Sequence, residues 1–298
     1  MSFFKIKGVI PPMITPFKEN DEVDYENHAA NVEKWNEYDL AGYLVLGSNS
    51  ETVYLNEKEK LNLIELTVKH RKEGKLIMVG TGMESTMETI RLTNKAADLG
   101  ADCALIVTPF YYGSKMNDEA LINYYTEVAD NSKIPILIYN VTKFTHVNIS
   151  PKTVGVLAKH PNIIGMKDSS GSIPQLVDFK KAIGCEEFNL MVGTASAWFP
   201  ALTLGIEASV MALANCCPQE CIDVQKEFNN GNVENSRELY ERVFPVNSAV
   251  TGTFGIAGLK YACTILCFNG GYVRKPLLQL KEDEKIKIKN ILANAKLI

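Results

Sequence analysis

Residues 134–140 read Ile-Pro-Ile-Leu-Ile-Tyr-Asn, and residues 163–167 read Ile-Ile-Gly-Met-Lys. Both runs are short and apolar without polar alternation, which is typical of parallel strands buried on both faces. Six further runs of this kind lie at residues 8–15, 42–47, 76–82, 103–108, 188–193 and 208–213, with amphipathic stretches between them. Eight strand–helix units in succession predict an α/β fold, the (β/α)8 TIM barrel. A doubly wound open sheet is the alternative, although the GxGxxG fingerprint of its dinucleotide-binding form is missing.

The chain has 298 residues, a length that allows one or two domains. We expect residues 1–214 to form the barrel, which would carry the active site. Residues 215–298 follow the eighth predicted strand and contain three or four predicted helices. Because no stretch rich in Gly or Pro precedes them, we expect a C-terminal helical extension packed on the barrel.

Composition and charge exclude several classes of function. The chain carries 31 Lys and Arg against 35 Asp and Glu, without a basic stretch, which argues against a nucleic-acid partner. No window approaches the roughly 18 uninterrupted apolar residues of a membrane span. The N-terminus also lacks the apolar segment of a secretory signal. We therefore expect a cytoplasmic protein without a membrane partner.

Seven Cys in a chain without a CxxC motif argue against both a disulfide framework and a zinc site. Cys217 and Cys221 are four residues apart, as are Cys263 and Cys267, and both pairs fall in predicted helices. We expect these four residues to be small, buried and apolar in character. Because four scattered His offer no metal-binding pair, no metal is predicted.

A barrel of this kind places catalysis at the carboxyl ends of its strands. The reactive side chains predicted there are Ser48, Asn49, Glu51, Thr81, Thr108, Tyr111, Tyr112, Tyr139, Asn140, Lys167, Asp168, Ser169 and Thr194. Lys167 is unusual because it ends a buried strand. Burial would lower the pKa of its amine, and a neutral amine can attack a ketone carbonyl to form a Schiff base. The alternative is a structural lysine paired with Asp168 or with another carboxylate.

Tyr139 ends the neighbouring predicted strand, so its hydroxyl is expected near Lys167. A phenol can move the proton that Schiff-base formation and C–C cleavage require, if Tyr111 or Ser48 completes the relay. The turn at residues 47–50 offers N–H groups and small polar side chains that can hold a carboxylate. Neither a glycine-rich phosphate cradle nor a carboxylate cluster follows the strands, so we predict no phosphorylated substrate, no metal and no cofactor.

Several motifs occur in a fixed order along the chain. They are Pro12-x-x-Thr15-Pro16-Phe17, Val23-Asp24, Gly47-Ser48-Asn49-Ser50-Glu51, Val107-Thr108-Pro109-Phe110-Tyr111-Tyr112, Tyr139-Asn140-Val141 and Gly165-Met166-Lys167-Asp168-Ser169. In this order they resemble the pyruvate-dependent class I lyases and aldolases. That family includes dihydrodipicolinate synthase, N-acetylneuraminate lyase and 4-hydroxy-2-oxoglutarate aldolase. The resemblance covers nearly the whole chain and continues into the C-terminal helices.

The resemblance implies a cofactor-free aldolase that captures pyruvate as a Schiff base on Lys167. It implies that Tyr139 relays protons and that Tyr111 completes the relay from across a subunit interface. Ser48 and Asn49 match the pair that relays protons and holds the carboxylate of pyruvate. Members of the family are usually tetramers, so a homotetramer is implied, with pyruvate and an aldehyde as the small-molecule partners.

Three further residues are implied to bind the substrate. Gly193 and Val210 match positions that line the pocket near the bound pyruvate. Ser169 closes the motif that contains the Schiff-base lysine.

Departures from the family patterns bear on the substrate. Dihydrodipicolinate synthases place an Arg shortly after the Tyr-Asn-Val motif to bind the carboxylate of the aldehyde. Here Phe144 stands at that position, and the adjacent Lys143 offers only a point charge. Neuraminate lyases carry an Asp-Glu pair after the seventh strand, whereas residues 193–196 read Gly-Thr-Ala-Ser. The nearest likeness is to 4-hydroxy-2-oxoglutarate aldolase, so the expected substrate is a 4-hydroxy-2-oxo acid such as 4-hydroxy-2-oxoglutarate.

Other functions remain open at this point. Within the class they are 4-hydroxy-tetrahydrodipicolinate synthase (dihydrodipicolinate synthase), 2-keto-3-deoxy-sugar-acid aldolase or dehydratase, and N-acetylneuraminate lyase. Outside catalysis, such a barrel could sense a 2-oxo acid without turnover. Two oddities stand out, because Ser50 replaces the usual Gly of the family and Thr142 replaces the usual Pro. If position 50 requires a positive φ, a serine there would be strained.

Overall fold

The computed structural model describes residues 3–298. It contains eight strands: β1 (Gly8–Ile10), β2 (Gly42–Val45), β3 (Leu76–Gly80), β4 (Cys103–Val107), β5 (Ile136–Asn140), β6 (Ile163–Asp168), β7 (Asn189–Val192) and β8 (Ala208–Val210). They form one sheet in the order β1-β8-β7-β6-β5-β4-β3-β2. A parallel bridge between Pro12 and Leu44 joins the two ends of this order. The predicted (β/α)8 barrel is therefore confirmed, and every one of the predicted apolar runs contains a strand.

Helices separate the strands and follow the last of them. They are α1 (Tyr25–Trp35), α2 (Glu57–His70), α3 (Thr86–Asp98), α4 (Asp118–Asp130), α5 (Thr142–Thr145), α6 (Pro151–Leu157), α7 (Ile173–Ile183), α8 (Trp198–Thr203), α9 (Pro218–Asn229), α10 (Val233–Ser248), α11 (Gly255–Ile265) and α12 (Glu282–Asn294). The last four lie in the predicted C-terminal extension, and a π-helical turn at Ala249–Thr253 follows α10. Across residues 3–298, no helix has both the length and the apolar character needed to cross a bilayer.

The chain divides into two compact units. The first contains residues 3–7 and Ile77–Val210, so it holds β4 to β8 and most of β3. The second contains Gly8–Leu76 and Met211–Ile298, and it holds β1, β2 and the four C-terminal helices. The helical extension thus shares a unit with the first two strands, while the predicted division after residue 214 stays a prediction.

Strands β5 and β6 show how the buried sheet ends in polar groups. Every residue of both strands is buried, which explains why their sequences show no polar alternation. Their last residues are polar, however, and the parallel register pairs Tyr139 with Lys167 and Asn140 with Asp168. The fold therefore places the polar carboxyl ends of two neighbouring strands side by side.

The cysteine prediction is confirmed in part. Cys217, Cys221 and Cys263 are buried, as expected for small apolar side chains, whereas Cys267 is exposed. Helix α11 ends at Ile265, and Cys267 lies beyond it with a φ of 66°, in a turn that follows the helix. The prediction for Cys267 was wrong because α11 ends before this residue, so Cys267 does not lie on the buried face of the helix.

Buried His28 on α1 predicts acid sensitivity of the fold. Burial, and to a lesser extent the nearby His70, lower the pKa of His28 from its ordinary value to about 4. Its Nε2 lies 2.9 Å from the Thr67 hydroxyl, which itself donates to the Leu63 carbonyl. The unfolded chain therefore binds the proton more strongly than the folded chain between about pH 4 and 6.5. We expect the free energy of unfolding to fall by about 3 kcal/mol as the pH drops through this window.

Urea unfolding measured from pH 7.5 down to pH 4.5 checks this expectation. His28→Gln removes the titrating group, so this variant should lose the corresponding part of the pH slope. His160→Gln is the matched control, because His160 is only partly buried and lies 3.0 Å from the Asp130 carboxylate. Equal pH slopes for wild type and His28→Gln would show that burial of His28 does not set the acid sensitivity.

Candidate active site

Lys167 and Tyr139 lie next to each other at the ends of β6 and β5. Both are buried, with only 3% of Lys167 and 6% of Tyr139 exposed. The Lys167 Nζ lies 4.2 Å from the centroid of the Tyr139 ring. The register of the two strands produces this contact, because Tyr139 and Lys167 are direct cross-strand partners. The structure thus brings the two central residues of the sequence prediction together.

The surroundings of Lys167 favour its neutral form. Burial lowers the pKa of the Lys167 amine, and the charge and hydrogen bond of Tyr139 oppose this shift only in part. Within the described residues, no carboxylate acts on the amine. A neutral amine has a free lone pair and is a nucleophile towards a carbonyl carbon. The environment therefore suits a Schiff-base lysine.

The alternative role of Lys167, an ion pair with Asp168, is not seen. The Asp168 carboxylate instead accepts hydrogen bonds from Asn140 Nδ2 at 2.7 Å, Ser170 Oγ at 2.5 Å and Gln175 Nε2 at 3.1 Å. These bonds tie the ends of β5 and β6 to the start of α7. Sequence analysis missed this network, although Asn140 and Asp168 end the two strands that carry Tyr139 and Lys167.

Gly193, which follows β7, lies close to the side chains of both Ser169 and Lys167. The Gly193 N–H donates to the Asp168 carbonyl at 2.7 Å, and Ser169 Oγ lies 3.4 Å from the Gly193 carbonyl oxygen. A Cβ added at Gly193 would overlap Ser169 Oγ and would lie 2.9 Å from Lys167 Cε. Any side chain at position 193 would therefore displace the Ser169 and Lys167 side chains.

We expect Gly193→Ala to lower kcat/KM by about 100-fold, because a shift of about 1 Å in a reacting group is enough for such a loss. The variant should still fold, since the overlap falls on the Ser169 and Lys167 side chains. Steady-state kinetics together with thermal unfolding check this expectation. Gly252→Ala is a control for the loss of a glycine, because no atom lies within 4 Å of an added Cβ there and its φ is outside the left-handed region. Unchanged kinetics in Gly193→Ala would contradict the close approach.

Val210 and Thr108, two other residues at strand ends, are both buried but differ in their chemistry. Val210, the last residue of β8, is fully buried, as a residue that lines a pocket can be. Thr108 follows β4 directly, and its buried hydroxyl has no hydrogen-bond partner among residues 3–298. A buried hydroxyl without a partner is costly, so Thr108 is suited to bind an oxygen of a substrate or of water.

Tyr111 is far more exposed than the buried pair. Its side chain is 76% exposed, and its ring packs edge-on against Tyr112 at 5.0 Å between centroids. Its backbone N–H donates to the Glu84 carboxylate at 3.0 Å, a contact that sequence analysis missed. The role implied for Tyr111, a relay from across a subunit interface, stays a prediction.

In the second unit, Ser48 and Asn49 form a 3-10 turn that follows β2. Both are half-buried, and the next residue, Ser50, is buried with its hydroxyl donating to the Met13 carbonyl at 2.6 Å. The expected strain at Ser50 is absent, because the left-handed residue is Glu51, with a φ of 54°. Serine is therefore compatible with position 50, and the strain lies one residue further on.

The segment after β5 contains the departures at Thr142 and Phe144. Thr142 begins the short helix α5. The Phe144 side chain is 53% exposed, and Lys143 Nζ lies 5.7 Å from its ring centroid. A phenyl ring cannot donate a hydrogen bond, so position 144 offers no contact to a carboxylate. Throughout residues 3–298, no group of three or more His, Cys, Asp or Glu is arranged to hold a metal ion.

A (β/α)8 barrel with a buried lysine and a tyrosine paired at strand ends defines the class of the pyruvate-dependent class I aldolases, which are carbon–carbon lyases. Comparison with known proteins supports this class. The chain belongs to the Dihydrodipicolinate synthetase family, whose sequence profile matches residues 5–295.

The relatives share the full length of the chain. The 4-hydroxy-tetrahydrodipicolinate synthase of Caldicellulosiruptor bescii is 33% identical, over 99% of this chain and 98% of the relative. The dihydrodipicolinate synthase of Thermotoga maritima superposes with a TM-score of 0.92 at 28% identity, covering 98% of this chain and 99% of that one. The chloride-inhibited dihydrodipicolinate synthase of Acinetobacter baumannii, solved with pyruvate, has a TM-score of 0.90 at 27% identity, covering 98% and 100% of the two chains.

Proposed function

We propose that this protein joins pyruvate to an aldehyde through a Schiff base on Lys167. The observation that carries the proposal is the buried Lys167 amine, which lies 4.2 Å from the ring centroid of Tyr139. The pyruvate-bound structure of the relative from A. baumannii supports pyruvate as the first substrate. The reverse reaction, cleavage of a 4-hydroxy-2-oxo acid, uses the same intermediates.

The chemistry begins with attack of the neutral Lys167 amine on the C2 carbonyl of pyruvate. Tyr139 delivers a proton to the carbinolamine oxygen, which leaves as water, and a protonated imine remains. The deprotonated Tyr139 takes a proton from the methyl group, which gives an enamine, and the enamine carbon attacks the aldehyde carbon to form the C–C bond. Tyr139 returns this proton to the oxygen of the aldehyde. Water then hydrolyses the protonated imine to release the product and the neutral Lys167 amine, and the proton set free restores Tyr139.

We assign the remaining roles by family resemblance. Ser48 and Asn49 bind the carboxylate of pyruvate, while Ser169, Gly193 and Val210 line the pyruvate site. Tyr111 completes the proton relay within a homotetramer in the cytoplasm. The exposure of Tyr111 in the single chain is consistent with a contact to a second copy.

The names of the relatives favour 4-hydroxy-tetrahydrodipicolinate synthase as the particular activity. Sequence analysis placed this activity second, behind 4-hydroxy-2-oxoglutarate aldolase, and the full-length relative from C. bescii supports the reverse order. In this reaction the aldehyde would be aspartate semialdehyde, and pyruvate would be the partner that Lys167 activates.

One specific observation favours a second candidate activity, that of a 4-hydroxy-2-oxoglutarate aldolase. Phe144 replaces the Arg that binds the aldehyde carboxylate in the synthases, and a phenyl ring cannot replace its two hydrogen bonds. If the synthase reaction takes place here, another group must bind that carboxylate. The Phe144→Arg variant tests whether the missing Arg limits the synthase reaction. It should improve the use of aspartate semialdehyde only if position 144 faces the aldehyde.

The test has two stages. Incubation with pyruvate and borohydride, followed by intact mass, should show one reduced adduct per chain, and the absence of an adduct would overturn the Schiff-base proposal. Wild type and Phe144→Arg are then compared for condensation of pyruvate with aspartate semialdehyde and for release of pyruvate from 4-hydroxy-2-oxoglutarate. Faster condensation than cleavage supports the synthase, and the opposite supports the aldolase. An adduct without turnover of either substrate would indicate a 2-oxo-acid sensor and overturn both activities.

A further inference from the structure

A buried charged cluster in the second unit takes no part in the proposed chemistry; we call Glu51, Glu59, Lys260 and Arg274 the Glu51 cluster. Lys260 Nζ lies 2.5 Å from Glu51 Oε1, and their side chains are only 2% and 0% exposed. Burial raises the pKa of Glu51 and lowers the pKa of Lys260 to about 8, so the interior disfavours both charges. A buried ion pair is weak evidence for stability, because desolvation offsets the attraction. Stabilisation of the fold therefore does not explain why this buried ion pair is present.

Arg274 connects this pair to the segment that follows β2. Its backbone N–H donates to Glu51 Oε2 at 2.8 Å, and its guanidinium donates to the Tyr54 carbonyl at 2.8 Å. The guanidinium also forms a bidentate pair with Glu59, at 2.8 and 2.6 Å. The Phe17 ring stacks beside both cations, 4.5 Å from Lys260 Nζ and 4.4 Å from Arg274 Cζ. Groups more than 200 residues away in sequence thus fix the segment from Glu51 to Glu59.

Glu51 is also the point of backbone strain in this segment. Its φ of 54° and ψ of 37° are left-handed, and it joins the 3-10 turn at Ser48–Ser50 to the turn at Thr52–Tyr54. A left-handed non-glycine residue costs about 1–2 kcal/mol and persists only where the surroundings fix it. The Glu51 N–H donates to the Ser48 carbonyl at 3.2 Å, so the conformation of Glu51 sets the end of the Ser48 turn.

We propose that Glu51, Lys260 and Arg274 are positioning residues that hold the Ser48–Asn49 turn in the shape that binds the carboxylate of a 2-oxo acid. The proposal rests on the proposed function, in which Ser48 and Asn49 bind that carboxylate. Donors that bind a small anion tightly must already be in place before the anion binds. If the turn is mobile, the free energy needed to order it is subtracted from the free energy of binding. The cluster supplies this order through Glu51, whose N–H is bonded to the Ser48 carbonyl.

Three variants test the proposal. Glu51→Gln removes one charge and leaves the buried Lys260 without its counter-ion, although its amine still donates to the Tyr272 carbonyl at 2.5 Å. Glu51→Gln combined with Lys260→Met removes both charges. Arg274→Lys keeps a positive charge but loses the bidentate pair with Glu59. Asp283→Asn is the matched control, because it removes a carboxylate from an exposed ion pair with Lys287, 2.9 Å long, on α12.

The readout is borohydride trapping at increasing concentrations of two ketones, pyruvate and acetone. Acetone lacks a carboxylate, so its trapping depends on the Lys167 amine and not on carboxylate binding by the Ser48–Asn49 turn. In the double variant and in Arg274→Lys, we expect the pyruvate concentration for half-maximal trapping to rise at least about tenfold. The acetone value and the trapped amount at saturation should stay within about twofold. KM for pyruvate should rise more than kcat falls.

The outcomes separate this proposal from the proposed function. If wild type forms no adduct with pyruvate, the proposed function fails. If wild type forms it and the folded variants keep the same half-maximal pyruvate concentration, the positioning role is overturned. An equal loss for pyruvate and acetone would show that the cluster only stabilises the fold, and would also overturn the proposal. Thermal unfolding of each variant establishes that the trapped protein is folded, and Arg274→Lys, the mildest change, decides the matter where the others fail to fold.

Discussion

Replacing Lys167 with Met is expected to abolish turnover and trapping while the fold persists. Without the amine no imine can form, and we expect kcat/KM to fall by about four orders of magnitude or more. Methionine fills a similar volume, and it removes the cost of burying an amine whose pKa burial lowers. The melting temperature of Lys167→Met should therefore equal or exceed that of wild type, as is common when an active-site residue is replaced by an apolar one.

The measurements are the intact mass after pyruvate and borohydride, steady-state kinetics and thermal unfolding. Lys159→Ala is the control, because Lys159 is an exposed lysine of the same unit and its loss should change none of the three. An adduct that survives in Lys167→Met would assign the Schiff base to another lysine and would overturn the site.

Tyr139→Phe is expected to slow the reaction without preventing the adduct. Loss of the proton relay should lower kcat by about 1,000-fold, within the usual contribution of general acid–base catalysis. The adduct should still reach one per chain, but more slowly. Because Tyr139 raises the pKa of Lys167, its removal should lower that pKa further. The acid limb of the trapping rate should therefore move to lower pH in the variant.

Borohydride trapping is stopped at a series of times and pH values, and the intact mass then gives the rate of adduct formation and its pH dependence. Tyr43→Phe is the matched control, because it removes the hydroxyl of a buried tyrosine that donates to Asn36 Oδ1 at 2.7 Å, with no hydrogen bond to Tyr139. That change should lower stability slightly and leave the trapping rate and its pH dependence unaltered. A kcat for Tyr139→Phe within threefold of wild type would show that another group moves the proton.

Much of the fold and part of the site could be predicted from local sequence. The eight apolar runs lack polar alternation because both faces of the strands are buried, and burial on both faces is visible in the residue types themselves. Tyr139 and Lys167 could be chosen because each lies at the carboxyl end of a buried run, and the carboxyl ends of parallel strands meet at the same edge of a sheet. Their contact then required only the register of β5 against β6.

Other features depended on contacts that a local pattern does not encode. Serine at position 50 suggested strain, but the left-handed residue is Glu51, and the Ser50 hydroxyl donates to the carbonyl of Met13, 37 residues earlier. Lys260 could be noticed in the sequence because it is the single charged residue in α11. That observation could not reveal its partner, which lies more than 200 residues earlier.

The sequence by itself determined the barrel and the class of chemistry, and it predicts Lys167 as the reacting amine, because each depends on the residue types within short runs. Only the tertiary structure decided which neighbours those residues meet: Asp168 bound by Asn140 rather than by Lys167, Gly193 placed close to Ser169 and Lys167, and Glu51 held by Lys260 and Arg274. The physical reason is that burial and alternation are properties of a segment, whereas the energy of a buried charge or a strained φ is set by atoms that the fold brings from elsewhere in the chain.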